Sequence, residues 1–283
     1  MPSSKLYLDR LRAIAQMAGV LAMAVGCPGV SAQSATRVEQ IPAVTISGKA
    51  NPNPVEKSYR KMLSGMDLFE RQRGSMSPHA TLRFKLLPRK RGTNMQAITL
   101  AVVGDTVDVL LPIATDHTFT LPRDALARQE NAQVVPNRRA LSMTWRTEIR
   151  TPGLPPKTRR LGDLRLECRV GMEAGLISNS SSLIGRLASA VVDSPAYCDK
   201  QAPLYLFFAD RPLFSVTLVA GLRREVQAID TLYANASDDT GMRANLPYCD
   251  CEVLVDRTYV LPLGDRSWPD DTLVEFDYMD DEA

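Results

Sequence analysis

The chain has 283 residues, with 34 Lys+Arg against 32 Asp+Glu, 45% hydrophobic and 23% charged residues. This composition excludes a collagen-like, coiled-coil or largely disordered chain. The length suffices for one or two domains with a sizeable core.

Lys5, Arg10 and Arg12 precede an apolar run from Ile14 to Val25, and Val30-Ser31-Ala32 supplies a small-residue cleavage site. Residues 1–32 therefore read as a secretory signal, with a mature start at Gln33. The alternative is a lipoprotein anchored at Cys27, read from Ala24-Val25-Gly26-Cys27. The apolar run is too short for a permanent span, and no later stretch approaches 18 residues, so no transmembrane segment is expected. The expected location is a bacterial periplasm, which makes nucleic acid an unexpected partner.

Residues 33–53 form a polar leader with one apolar patch, Ile41–Ile46. Asn53 as N-cap and Pro54 in the first turn then predict a helix carrying Val55, Tyr59, Met62, Met66 and Phe69 on one face. Gly74 is its expected stop. Ser58 and Lys61 within it match the SxxK spacing of serine acyl-enzymes, in which one helical turn brings the lysine beside the nucleophile. The SDN and KTG elements that accompany that motif are missing.

From residue 80 the period changes to two. Leu82, Phe84 and Leu86, then Ile98 to Val102, Val107 to Leu111 and Phe119 to Leu121, alternate with polar residues between turn signals. Residues 141–150 place Leu141, Met143, Trp145, Thr147 and Ile149 inward and Ser142, Thr144, Arg146, Glu148 and Arg150 outward. Leu164, Leu166, Cys168 and Val170 repeat this against Arg165, Glu167 and Arg169 and predict another strand. Short alternating strands of this kind predict antiparallel sheets with one solvated face. The Pro-rich segment Thr151–Lys157 between these two strands sets a boundary between residues 54–157 and 158–283.

Further on, Ser180 to Val191 predicts a helix, Pro203 to Phe208 and Leu213 to Val219 predict strands, and Leu222, Val226, Ile229 and Tyr233 suit a short helix. Asn235 to Asn245 is a polar loop. Glu252–Val255, Thr258–Leu261 and Thr272–Tyr278 are expected to be closing strands. The fold class is mainly β: an antiparallel β-sandwich preceded by a helix, then a disulfide-bonded α+β unit.

Residues 33–160 carry 21 basic and 10 acidic residues, whereas residues 161–283 carry 10 and 21. Such asymmetry predicts complementary surfaces through which the halves dock, or a basic half that recruits an outside anion. Lys90, Arg91, Arg138, Arg139, Arg159 and Arg160 fall at predicted turns and are the candidate residues for binding anionic polymers. Cys168, Cys198, Cys249 and Cys251 all lie in the acidic half, and in an oxidising compartment they predict two disulfides. A Cys249–Cys251 bridge would be strained, so each is expected to pair with Cys168 or Cys198. Asp265, Asp270 and Asp271 are hard oxygen ligands suited to a divalent cation, without the spacing of an EF-hand loop.

No GxSxG elbow, HExxH, P-loop or GxGxxG occurs, and His79 and His117 are the only histidines. Ile98-Thr99-Leu100 through Thr115-Asp116-His117-Thr118-Phe119-Thr120-Leu121-Pro122 resembles the strand–turn–strand of transthyretin-like, carboxypeptidase-regulatory-like β-sandwich modules. Those modules usually have Asp-Gly where this chain has Asp116-His117. The resemblance implies a sandwich and no catalytic residue. The sequence thus points to a non-catalytic binding or structural protein of the periplasm or cell envelope, without a cofactor, whose partner is an envelope protein or anionic envelope polymer. The alternatives are a hydrolase of envelope polymers using Ser58 and Lys61, or a divalent-metal-binding module.

Overall fold

Helix α1 (Tyr59–Met76) begins after the short strand β1 (Lys57–Ser58) in the computed structural model, which describes residues 56–89, 92–139, 142–177, 194–201, 203, 205–233 and 251–280. The expected signal, leader, Asn53 cap, Ser180–Val191 helix and Asn235–Asn245 loop lie outside the described residues, as do Lys90, Arg91, Cys249 and the side chain of Cys251. Ser58 is the N-cap of α1, in extended conformation, and its hydroxyl accepts from Lys61 N at 3.3 Å. The helix runs past Gly74 because Ser77 N still donates to Arg73 O, at 2.8 Å.

The body is mostly strands in antiparallel sheets. Thr81–Pro88 (β2), Leu100–Val103 (β3), Asp108–Leu111 (β4) and Thr118–Phe119 (β5) precede the short helix α2 (Ala125–Gln129), followed by Gln133–Pro136 (β6) and Met143–Arg150 (β7). They make two sheets, β1-β6-β3-β4 and β5-β2-β7. Side chains from both, including Phe84, Leu100, Val134 and Trp145, share one core cluster with Tyr59 and Met62 of α1. The Tyr59 hydroxyl donates to Pro122 O at 2.6 Å and accepts from Asp124 N at 2.7 Å, which ties α1 to the cap of α2.

The segment that resembles transthyretin-like modules forms β3, β4 and β5, with β3 and β4 paired as a hairpin and β5 in the other sheet. In its turn His117 has φ +61°, the left-handed region that favours glycine. Asp116 Oδ1 stabilises the turn by accepting from Thr118 N at 3.1 Å and Thr118 Oγ1 at 2.6 Å. A non-glycine residue in this region costs about 1–2 kcal/mol, partly offset in a glycine variant by its larger unfolded-state entropy. We expect His117→Gly to raise stability by up to about 1 kcal/mol in urea denaturation. A loss of stability instead would show that the imidazole carries the turn.

Past residue 157 the order is Thr158–Arg160 (β8), Leu161–Glu173 (α3), Phe207–Phe208 (β9), Leu213–Ala220 (β10), Arg223–Val226 (β11), Cys251–Leu254 (α4), Thr258–Tyr259 (β12) and Leu273–Tyr278 (β13). They form the sheet β11-β10-β13-β8 and the pair β12-β9. Helix α3 packs on α1 and β7, so elements on either side of the expected boundary share a core containing Leu68, Phe69, Ile149, Leu166 and Val170. Gly65 lets the two helices approach, since a Cβ there would lie 2.8 Å from Ala174 Cβ.

Several expectations are corrected. The segment from Leu164 to Val170 is helix, not strand. Arg165 and Glu167, assigned to solvent by the alternation, are buried together with Leu164, Leu166, Cys168 and Val170. A helix buried all round has no apolar stripe to announce it. Arg223 to Val226 is strand, because Gly221 (φ +59°) and Leu222 make a two-residue turn that closes the β10–β11 hairpin, and of the expected helix only Ile229–Thr231 forms a single tight helical turn. Cys251–Leu254 is helix rather than strand.

The outward face expected for β7 is largely buried as well: Thr144, Arg146 and Glu148 are all covered. The Phe208 ring lies against Arg146 and Asp210 against Arg150, so the segment after β9 lies where solvent was expected. Cys168 bonds to Cys198, with their Cα atoms 6.0 Å apart. This corrects the expected pairing of each with Cys249 or Cys251. Helix α3 turns Cys168 into the core, and the tight turn Pro195–Asp199 delivers Cys198 to the same place. No helix among the described residues is long and apolar enough to cross a membrane.

Candidate functional site

Strand periodicity puts Arg146, Glu148 and Arg150 on one face of β7. The antiparallel register places Arg83 opposite Glu148 and Lys85 opposite Arg146, on that same face. The buried Glu148 carboxylate consequently meets three cations: Arg83 at 3.3 Å, Lys85 at 3.5 Å and Arg150 at 3.1 Å. Asp210, just beyond β9, adds a second carboxylate. It accepts from Lys85 Nζ at 2.8 Å and from Arg150 Nη2 at 3.0 Å on both oxygens. These contacts join residues of the basic and acidic halves.

The second part of the site closes the free edge of β7. Arg159 of β8 donates to Glu167 of α3 at 2.6 Å and to Ile149 O at 2.6 Å, while Glu167 accepts from Ile149 N at 2.9 Å. Both main-chain groups of Ile149 are thus satisfied by a buried ion pair rather than by another strand. Burial pushes the Glu167 carboxyl up, against the pull of Arg159. Burial also works against the Arg159 charge, but Glu167 outweighs it and holds the guanidinium more firmly protonated than usual. The pair is held in place by main chain on both sides.

Around this polar floor stands an aromatic wall. Tyr205 and Phe207 have ring centroids 4.7 Å apart, Phe207 and Tyr259 5.3 Å, and Tyr259 and Phe276 5.2 Å. Burial pushes the Tyr205 phenol up to about 12, and raises that of Tyr259 against the nearby Arg159 charge. Two cavities of about 430 and 470 Å³ open here, within the size range of small-molecule sites. They share Arg150, Arg159 and the segment Phe208–Asp210 as walls.

For Asp210, burial alone would raise the carboxyl. The Arg150 and Lys85 charges outweigh it and hold the group at about 2. Its folded value thus lies below the ordinary one, so the contribution is complete above about pH 4 and is lost as pH falls toward 2. With 44% of the side chain exposed, solvent screening limits the effect to about 1 kcal/mol. Asp210→Asn should therefore be less stable than the parent at about pH 6 and nearly equal to it at about pH 2, in denaturant titrations. A gap that does not change with pH would show that these ion pairs contribute nothing.

Of the residues expected from sequence to bind anions, the four that are described, Arg138, Arg139, Arg159 and Arg160, are not brought together. Arg138 is tied to its own loop, donating to Asn94 O at 2.9 Å and Ala97 O at 2.8 Å. Arg139 lies exposed beyond β6, and Arg160 caps α3 through its backbone. Arg159 alone lines the cavities, and it is buried rather than at a solvated turn. Ser58 and Lys61 line neither cavity, and Ser58 serves as the helix cap. Asp265 accepts from Ser267 N at 2.9 Å, Asp270 pairs with Arg165 at 2.6 Å, and Asp271 is exposed. Among the described residues no group of three His, Cys, Asp or Glu side chains is placed to hold a metal ion.

Sequence reasoning missed Lys85, Glu148, Glu167, Tyr205, Asp210 and Tyr259 as site residues. The only signal was the unbroken charged series Arg146, Glu148 and Arg150 opposite Arg83 and Lys85. The fold and cleft define a β-rich protein with a charged, aromatic-walled cleft. Comparison with family models, with curated proteins and with solved structures finds no match.

Proposed function

We propose that this is an exported, non-catalytic binding protein of the bacterial periplasm or cell envelope, with the cleft beside Phe208–Asp210 as its binding site. The observation that carries this reading is the engagement of every carboxylate that lines the cleft among the described residues. Glu148 and Asp210 are held by Lys85 and Arg150, Glu167 by Arg159, and Asp116 by Arg83. Asp163 accepts from Thr151 N at 2.7 Å and also takes the Ser77 hydroxyl. A general base needs a carboxylate able to take a proton from substrate, whereas fixed ion pairs build a rigid, shaped floor suited to recognition. Export is supported by the basic and apolar pattern of residues 1–32 and by the Cys168–Cys198 bond, which suits an oxidising compartment. For residues 54–157 we propose a sandwich, on the ground that two sheets contribute to one core.

Fractionation of cells expressing a C-terminally tagged chain tests the location, and native mass spectrometry of the released protein tests the binding. The expected result is periplasmic protein lacking residues 1–32 and carrying a small molecule. Cytoplasmic retention would overturn export. Turnover of an envelope polymer that Ser58→Ala abolishes would establish the hydrolase instead.

A further inference from the structure

Strand β11 ends its sheet, whose order is β11-β10-β13-β8, and all of its residues are exposed. Val226 stands opposite Thr217, and Gln227 N donates to Val216 O at 2.8 Å. In an antiparallel ladder that pattern turns the main-chain groups of Arg223 and Glu225 toward β10 and those of Arg224 and Val226 away from it. The outward N–H and C=O groups have no main-chain partner among the described residues. An edge of this kind is open to pairing with another strand.

Charge usually keeps such an edge free, yet both arginines here are already matched. The Arg223 guanidinium lies 3.5 Å from the Trp268 ring centroid and donates to Ser267 Oγ at 3.1 Å, and Arg224 pairs with Glu275 at 2.7 Å. Leu222, fully exposed, and Val226, 65% exposed, flank them. A two-fold axis normal to the sheet keeps each face in place, so opposed residues differ by an even number of positions. Centred on Glu225, the axis sets two carboxylates against each other. Centred on Arg223, it sets Leu222 against Arg224, and centred on Val226 it runs off the end of the strand. Centred on Arg224, it sets Leu222 against Val226 and Arg223 against Glu225, each pair occurring twice, while both Arg224 side chains keep their own Glu275.

We propose that β11 pairs with β11 of a second copy of this chain, antiparallel and centred on Arg224, joining the two sheets into one. The two Arg224 main chains then exchange hydrogen bonds, and each Val226 N–H meets the Leu222 carbonyl of the other copy. Arg223, held over Trp268, presents a fixed guanidinium to Glu225 across the axis, and this self-complementarity favours a second copy over an unrelated strand. The contact is short, which places the dimer in the weak class, below about 1,200 Å².

Sedimentation equilibrium of the purified protein from about 1 to about 500 μM should show a monomer–dimer equilibrium. Val226→Pro removes one outward N–H per copy and leaves the ladder to β10 intact. It should keep the melting transition and weaken association about tenfold or more, since two hydrogen bonds are lost. Arg224→Cys should form an oxidised dimer, because the Cα atoms of a hydrogen-bonded pair lie about 5.5 Å apart. Glu225→Cys should not, its counterpart being a diagonal neighbour about 7–8 Å away. If Val226→Pro lacks the parent's melting transition, the two cysteine variants decide. A monomer at every concentration would overturn the proposal, as would a folded Val226→Pro variant that dimerises like the parent. Cross-linking by Glu225→Cys alone would overturn the register. A heavier species containing a different chain, lost in Val226→Pro, would give the edge to another protein's strand and overturn the second-copy assignment.

Discussion

Glu167→Leu should destabilise the protein by about 3–5 kcal/mol, the largest effect expected of any single charged residue here. The substitution leaves the Arg159 guanidinium buried without its carboxylate, and it strips the acceptor from Ile149 N. An unmatched buried charge costs far more than the pair contributes, because the pair's attraction is spent mainly on offsetting its own desolvation. The double variant Arg159→Met with Glu167→Leu should therefore recover most of the loss. Urea titration of both variants decides the matter. A double variant as unstable as the single would mean that the arginine's bond to Ile149 O, rather than the salt bridge, holds the edge of β7.

Replacing Cys168 and Cys198 by alanine should cost about 3–4 kcal/mol, as expected for releasing a loop of 30 residues in the unfolded chain. Both cysteines are buried in the core that holds Leu164, Met172 and Phe207, so the lost packing adds to the loss of the cross-link. Non-reducing peptide mapping locates the bond, and thermal denaturation with and without reductant measures its contribution. A map that joins either cysteine to Cys249 or Cys251 would contradict the pairing. A melting transition indifferent to reductant would show that the link contributes little.

The strands were legible wherever one face met the core and the other met water. Residues 81–88, 213–220 and 273–278 alternate and are strands, and α1 shows the apolar stripe expected of a surface helix. Legibility failed at α3, which is covered nearly all round. Helix α3 carries Arg165 and Glu167 inside, each matched by partners distant in space: Arg165 donates to Leu263 O, Asp265 O, Trp268 O and Asp270. No local pattern announces partners some hundred residues away, and the charged residues imitate the polar face of a strand. The cleft was illegible for the same reason. Its residues come from β2, β7, β8, the segment after β9, and β12, and only the pairing of those strands unites them. The charged series Arg146, Glu148 and Arg150 on β7 was the one local hint, since Glu148 and Arg150 do meet Arg83, Lys85 and Asp210.

Whether the cleft is a ligand site is tested most directly by comparing backbone and arginine side-chain NMR spectra of the protein as purified with those of the same protein stripped of small molecules by unfolding and refolding. The differences are expected to concentrate at Arg150, Arg159, Phe208, Ala209, Asp210 and Tyr259, which line the two cavities. Differences clustered elsewhere, or identical spectra, would contradict the binding reading.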